Sequence, residues 1–203
     1  MKTIEELKKA RLGDSVTTHC ETILITKFEK PSVDVTDAIK RELDGLDWLT
    51  RKSARHEYFM SETQRTYSYG NRNTGEEFYD SNPMSPIIKN LMSTLNRRLD
   101  VNFSACFLNR YDTEKQHLGW HADDFEAMDP EAPIAVMSFG AEREIWVKPF
   151  GESGLVPKEQ RILLPEGSLF IMPPHYQETH LHRIPKHGQP CGPRTSLTFR
   201  AFK

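Results

Sequence analysis

His121-Ala122-Asp123 places an imidazole and a carboxylate two residues apart, and two further histidines, His180 and His182, follow roughly 60 residues later. Two imidazoles and one carboxylate make up the facial ligand set that holds non-haem Fe(II) and leaves positions open for small molecules. Residues two apart in an extended strand share a face, so His121 and Asp123 can occupy neighbouring positions on one metal. A distant histidine brought alongside by the fold would complete the set, and the chemistry expected of it is oxygenation. The plainer reading of His-x-Asp is a surface hydrogen bond, and neither half of the set decides between the two alone.

Near the C-terminus, Arg194-Thr195-Ser196-Leu197-Thr198-Phe199-Arg200 carries two arginines six apart on an alternating segment. An even spacing keeps both on one face of a strand. Such a pair suits a dicarboxylate, because the planar guanidinium bonds carboxylate oxygens in a bidentate way that an ammonium does not. Two solvated charges at the ends of a strand are the structural alternative.

These groups need a framework, and the pattern of the chain supplies one. Thr3 to Ala10 reads as a short helix and Thr22 to Phe28 as a β-branched strand. Val35, Ile39, Leu43 and Leu46 recur at helical spacing, with Ser32 or Asp34 as N-cap. A second helix starts with Ser85 as cap and Pro86 at its first position, burying Ile88, Leu91, Leu95 and Leu99. The polar, aromatic stretch Thr63 to Asn82 between them reads as a hairpin or lid. From Ser104 onward come short strands: Ser104–Asn109, Ile134–Phe139, Glu144–Val147, Arg161–Leu164, Ser168–Met172 and Thr195–Phe199. Short strands at even spacing with turn residues between them argue for a sandwich or jelly roll, so the class is α+β with helices first.

Composition narrows the function. With 203 residues, 37% hydrophobic and 28% charged, the chain has the make-up of an ordinary globular domain. No apolar run approaches the roughly 20 residues of a membrane span, and the charged start is unlike a signal peptide. Cys20, Cys106 and Cys191 are odd in number and widely spaced, which points to reduced thiols in an intracellular, reducing compartment. A net charge of -2 gives no overall basic footprint for nucleic acid. Local basic clusters at Arg51–Arg55 and Arg97-Arg98, and the loop from Lys186 to Arg194, are either phosphate contacts or solvated surface.

The runs Leu108-Asn109-Arg110-Tyr111, His121-Ala122-Asp123-Asp124, Pro133 to Gly140, Gly167 to Met172, His182-Arg183-Ile184-Pro185 and Arg194 to Arg200 occur in an order that resembles the AlkB family of 2-oxoglutarate- and Fe(II)-dependent dioxygenases. The likeness is strongest to its DNA-repair members; it is dense from Leu108 to Arg200 and thinner across Tyr58 to Asn102. It implies an α+β chain with a double-stranded β-helix (jelly-roll) core, N-terminal helices and a nucleotide-recognition lid. One domain would span 1–203, with 1–103 as extension and lid and 104–203 as the core.

Carried over residue by residue, the resemblance makes His121, Asp123 and His182 the iron ligands. His182 is preferred to His180 because it directly precedes Arg183-Ile184-Pro185, as in the family's His-Arg-Val-Pro. Arg194, Asn109 and Tyr111 would hold the distal carboxylate of 2-oxoglutarate, and Arg200 the carboxylate beside its keto group. Ser196 stands in the same pocket, where repair-type members usually carry Asn. Tyr67, Tyr69, Phe78 and Tyr79 lie in the lid, and Tyr69, Phe78 and Tyr79, with Asp124, would contact a base flipped out of its stack, packing against the β-core being the alternative for the aromatics. Phe125 stands where the duplex-acting relative carries an acidic residue.

The implied cofactors are Fe(II), 2-oxoglutarate and O2, and the implied partner is nucleic acid with alkylated bases, DNA ahead of RNA, met by a monomer. The expected reaction is oxidative demethylation of 1-methyladenine or 3-methylcytosine, releasing formaldehyde, succinate and CO2. An AlkB-like hydroxylase of a protein, lipid or unusual nucleotide is the alternative, and a non-catalytic β-barrel binding module the more remote one.

Overall fold

A computed structural model describes residues 16–19, 22–25, 33–50, 55–71, 75–123, 127–151 and 159–203. The helix expected at Thr3 to Ala10, the cap Ser32 and residues 26–28 of the expected first strand lie outside them. Two sheets face each other. The larger has the order β1-β2-β12-β9-β14-β7-β3-β6 and the smaller β11-β10-β13-β8, with a separate hairpin β4-β5. In the large sheet these are β1 (Val16–His19), β2 (Thr22–Ile25), β3 (His56–Ser61), β6 (Asn82–Pro83), β7 (Ala105–Tyr111), β9 (Ile134–Gly140), β12 (Leu169–Met172) and β14 (Arg194–Arg200). The small sheet holds β8 (Leu118–His121), β10 (Arg143–Pro149), β11 (Gln160–Leu164) and β13 (His180–Ile184), and the hairpin is β4 (Thr66–Asn71) with β5 (Gly75–Asp80). This is the α+β, jelly-roll type of core that the strand spacing predicts. Strands from residues 1–103 join the same sheet as strands from 104–203.

Two helices cover the outer face of the large sheet, α1 (Val33–Asp44) and α2 (Pro86–Leu99). Helix α2 starts as its sequence dictates: Ser85 accepts a hydrogen bond from the Ile88 amide, and Pro86 occupies the first turn, where its missing N–H costs nothing. Its buried stripe is Ile88, Met92, Leu95 and Leu99, with Leu91 on the flank. In α1, Ile39 and Leu43 are buried, whereas Val35 is 42% exposed and Asp34 lies inside the helix instead of capping it. Both helices pack on one set of strand residues that includes Cys106, Leu108, Ala135, Met137, Leu197 and Phe199.

The central strands β7, β9 and β14 of the large sheet are buried on both faces, and strand periodicity divides their residues between two layers. In β14, Leu197 and Phe199 point to the helices, while Arg194, Ser196, Thr198 and Arg200 line the space between the sheets. The apolar part of the inter-sheet layer sets Val136, Phe170 and Met172 from the large sheet against Ile145, Val147, Ile162, Leu164 and Ile184 from the small one. One turn is strictly specified. Gly140 has φ +90°, and a Cβ there would collide with the Pro193 carbonyl oxygen. That close approach sets Gly140 opposite Arg194 in the β9–β14 register.

Candidate metal centre and anion cleft

His121 ends β8, His182 sits on the neighbouring β13, and the two are directly paired in the register. Their rings lie 4.1 Å apart between centroids. Asp123 follows β8 and completes a group whose ligand atoms all lie within 4.8 Å of one another. The Asp123 Oδ1 atom is 3.6 Å from His121 Nε2 and 3.8 Å from His182 Nε2. His121 Nδ1 donates to the Gly119 carbonyl at 2.9 Å, which orients the ring with Nε2 facing the group. His180 also points inward, but it stacks on Tyr176 with centroids 4.3 Å apart. Alternation along β13 therefore brings two histidines inside, and only His182 reaches Asp123.

Opposite the histidines, Arg200 donates to Asp123 Oδ2 through Nε at 3.1 Å and through its terminal nitrogen at 2.6 Å. Asp123 thus offers one oxygen to the histidines and the other to a guanidinium. Burial alone would raise its carboxyl, but Arg200 above all, with His121 and His182, holds it well below the usual carboxylate range. Burial, reinforced by His121, pushes the His182 imidazole down to about 3, so it is neutral and able to ligate. Burial also pushes the Arg194 guanidinium down to about 10, still protonated at neutral pH.

The eight residues expected to hold metal and cosubstrate line one cleft of about 390 Å³: Asn109, Tyr111, His121, Asp123, His182, Arg194, Ser196 and Arg200. Arg194 donates to Ser138 Oγ at 3.0 Å and lies over the Tyr111 ring at 5.6 Å. Its other two nitrogens, and one terminal nitrogen of Arg200, have no hydrogen-bond partner among the described residues. Buried donors of this kind call for acceptors. Two guanidiniums on one wall and a lone-pair triad on another suit a chelating dicarboxylate bound beside a cation.

Of the lid aromatics whose side chains are described, Tyr67 and Tyr79 are buried and Phe78 is exposed. Tyr79 is corrected as a stacking group: it is 2% exposed, packed on Phe107 at 4.9 Å, and its hydroxyl donates to Glu57 Oε2 at 2.7 Å. Phe78, next in β5, necessarily faces the other way and is 56% exposed. Tyr69 pairs with Glu77 in the hairpin; its side chain and Asp124 lie outside what the structure describes.

Gln177 and the Arg55–Glu57 pair support the site and escape sequence reasoning. Gln177 accepts from the Asp123 amide at 2.9 Å, from the short helix α3 (Tyr176–Thr179). Arg55, from a basic cluster expected at the surface, is buried: it donates to Asn109 Oδ1 at 2.7 Å and pairs with Glu57 at 2.5 Å. By accepting that bond, the Asn109 amide is oriented by a residue 54 positions away. Only the i, i+2 spacing of Arg55, just before β3, and Glu57 within it carried a hint of this.

The architecture and the site have relatives. Residues 30–200 match the 2OG-Fe(II) oxygenase superfamily. A DNA oxidative demethylase ALKBH2 of Arabidopsis thaliana is 31% identical over 68% of this chain and 49% of its own length. The human alpha-ketoglutarate-dependent dioxygenase alkB homolog 3 is 28% identical over 83% of this chain and 63% of its own. The chain therefore spans about half to two thirds of these relatives. A solved structure, "The structure of OsALKBH1", superposes with a TM-score of 0.62 at 16% identity, covering 92% of this chain and 99% of that one, a likeness of fold. The chain belongs to the 2OG-Fe(II) oxygenase superfamily, as a member of its AlkB family. Fe(II), 2-oxoglutarate and O2 are the cofactors of that family, and the donor set of the cleft fits them. No helix among the described residues is long and apolar enough to cross a membrane.

Proposed function

We propose that the chain is a dioxygenase that oxidatively demethylates alkylated bases of the 1-methyladenine and 3-methylcytosine type in nucleic acid, with DNA preferred. The observation that carries this reading is the shared cleft, in which the His121, Asp123 and His182 triad faces the unsatisfied nitrogens of Arg194 and Arg200. The relatives named DNA oxidative demethylase support the choice of substrate.

His121, Asp123 and His182 would hold iron, and Arg194 and Arg200, with Asn109, Tyr111 and Ser196, would hold 2-oxoglutarate. Bound together with O2, these cofactors supply an oxidant that hydroxylates a C–H bond while 2-oxoglutarate becomes succinate and CO2. A hydroxymethyl group on a ring nitrogen then leaves as formaldehyde, restoring the base. The protein's part is to keep His182 neutral, Asp123 ionised and the cleft walls dry, so that charge lies where the reaction needs it. Tyr69 and Phe78, on a hairpin that Tyr79 anchors to Glu57, and Asp124, next in sequence to Asp123, remain the proposed base contacts. The chain would act as a monomer and a single domain in a reducing, intracellular setting.

The test is incubation with Fe(II), 2-oxoglutarate and single- or double-stranded oligonucleotides carrying either lesion, followed by mass spectrometry. Loss of the methyl group with matching succinate is expected. Succinate without demethylation of any oligonucleotide would overturn the nucleic-acid reading and favour another hydroxylation substrate.

A further inference from the structure

The small sheet has a second face. Strand alternation sends His121 and His182 inward and their chain neighbours Trp120 and Arg183 outward. On that outer face aromatic and cationic side chains alternate across all four strands. Arg161 lies 4.0 Å from the Trp146 ring centroid, and Arg183 lies 4.0 Å from the other side of the run at Trp146 and 4.7 Å from Trp120. Lys148 closes the run 4.5 Å from Trp120. The register explains the order, since Trp146 of β10 pairs with Arg161 of β11 and with Arg183 of β13. Two carboxylates brace it: Trp146 Nε1 donates to Glu144 at 2.7 Å, and Glu159 takes a bond from Arg161 at 2.9 Å while lying 3.7 Å from Arg183.

This surface is poorly suited to binding nucleic acid. Its indole rings are already in contact with cations, and Glu144 and Glu159 offset much of the positive charge. Its geometry serves another purpose. Strand β8 is the weak point of the sheet, an edge of four residues that among the described residues pairs with β13 alone. That pairing consists of His182 opposite His121 and Ile184 opposite Leu118, with a register shift between them. So few ladder bonds leave the position of His121 relative to His182 weakly specified, and register is a property that cross-strand side-chain pairs can pin.

We propose that the Trp120–Arg183–Trp146 stack is a positioning clasp for the metal ligands. Arg183 contacts an indole on each side and so ties β8 to β13 and β13 to β10 on the outer face, directly behind the two histidines. The planar guanidinium is suited to this in a way that an ammonium is not, because it stacks on an aromatic face as well as attracting it. The clasp fixes where the imidazoles of His121 and His182 meet Asp123. It rests on the reading of these three residues as the metal site.

The test measures Mn(II) and Co(II) affinity of the metal-free protein by calorimetry, with the thermal midpoint followed by circular dichroism. Groups that orient metal ligands typically cost about 10–100-fold in affinity when removed. Arg183→Met, which keeps the aliphatic stem, is expected to weaken metal binding about tenfold, and Trp120→Leu to act in the same direction. Arg183→Lys should recover part of the loss. Arg161→Met removes a rung that touches neither ligand strand and should leave affinity at the wild-type value. Wild-type affinity in Arg183→Met overturns the clasp, and so does an equal loss in Arg161→Met, which would report general softening of the sheet. If Arg183→Met does not fold, Trp146→Phe, which shortens the stack while keeping an aromatic face, replaces it under the same criteria. A wild-type protein that binds neither metal removes the triad reading itself, and the clasp with it.

Discussion

At the scale of single residues, the centre is a contest between burial and charge. Asp123 keeps its ionised form because Arg200 lies within 2.6 Å of one oxygen, and His182 keeps its neutral form because burial penalises the imidazolium. Both values lie below those of the unfolded chain, so the unfolded state takes up protons first as pH falls. The stability contributed by His182 is therefore complete above its unhindered value of 6.5 and is lost between there and about 3. Asp123 adds a further loss as pH falls below its ordinary 3.8. The thermal midpoint of the metal-free protein should fall on acidification from about pH 6.5, and His182→Gln should flatten the upper part of that fall. Identical pH profiles for the two proteins would show that His182 is not held neutral by the fold.

At the scale of elements, the second half of the chain was legible because period-two alternation and turn residues are local signals. Ile134–Gly140, Arg143–Pro149 and Arg194–Arg200 fall within a residue or two of expectation, and even spacing alone puts both arginines on the cleft wall. What local pattern does not carry is the partner across space. Arg55 reads as surface until Asn109 and Glu57 are seen to enclose it, and Tyr79 reads as a lid aromatic until the hairpin is folded onto Phe59 and Phe107. Gln177 has no sequence signal at all, since its task is to accept a bond from an amide 54 residues away. Gly140 is the most exacting element boundary. In Gly140→Ala the added methyl would push on the Pro193 carbonyl beside Arg194, and φ +90° is strained for any L side chain. The variant should lose about 1–3 kcal/mol of stability in chemical denaturation and show a raised KM for 2-oxoglutarate. An unchanged KM would mean that the close approach of Gly140 to Pro193 does not govern where Arg194 sits.

At the scale of the whole molecule, the cleft draws its groups from two different sheets. His121 and His182 stand on the small sheet, whereas Asn109, Tyr111, Arg194, Ser196 and Arg200 stand on the large one, and Asp123 links the two through Arg200. Metal binding acts on the first set and a dicarboxylate on the second, so a cosubstrate that meets both should join the sheets. The two ligands are then coupled, and coupling between binding sites is reciprocal, typically about 1–3 kcal/mol. Any ligand that binds only the folded state stabilises it, by about 2.7 kcal/mol at a hundredfold excess over its Kd. Mn(II) serves as the metal here because it permits binding to be read without turnover. Mn(II) alone should raise the thermal midpoint modestly, and 2-oxoglutarate alone should do so less. The two together should raise it by more than the sum, and chelation should abolish most of the 2-oxoglutarate effect as well. Arg194→Met should retain the Mn(II) shift while losing the excess. Strictly additive shifts in the wild-type protein would mean that the two sheets bind their ligands independently, and that the arginine wall and the histidine triad do not share one cosubstrate.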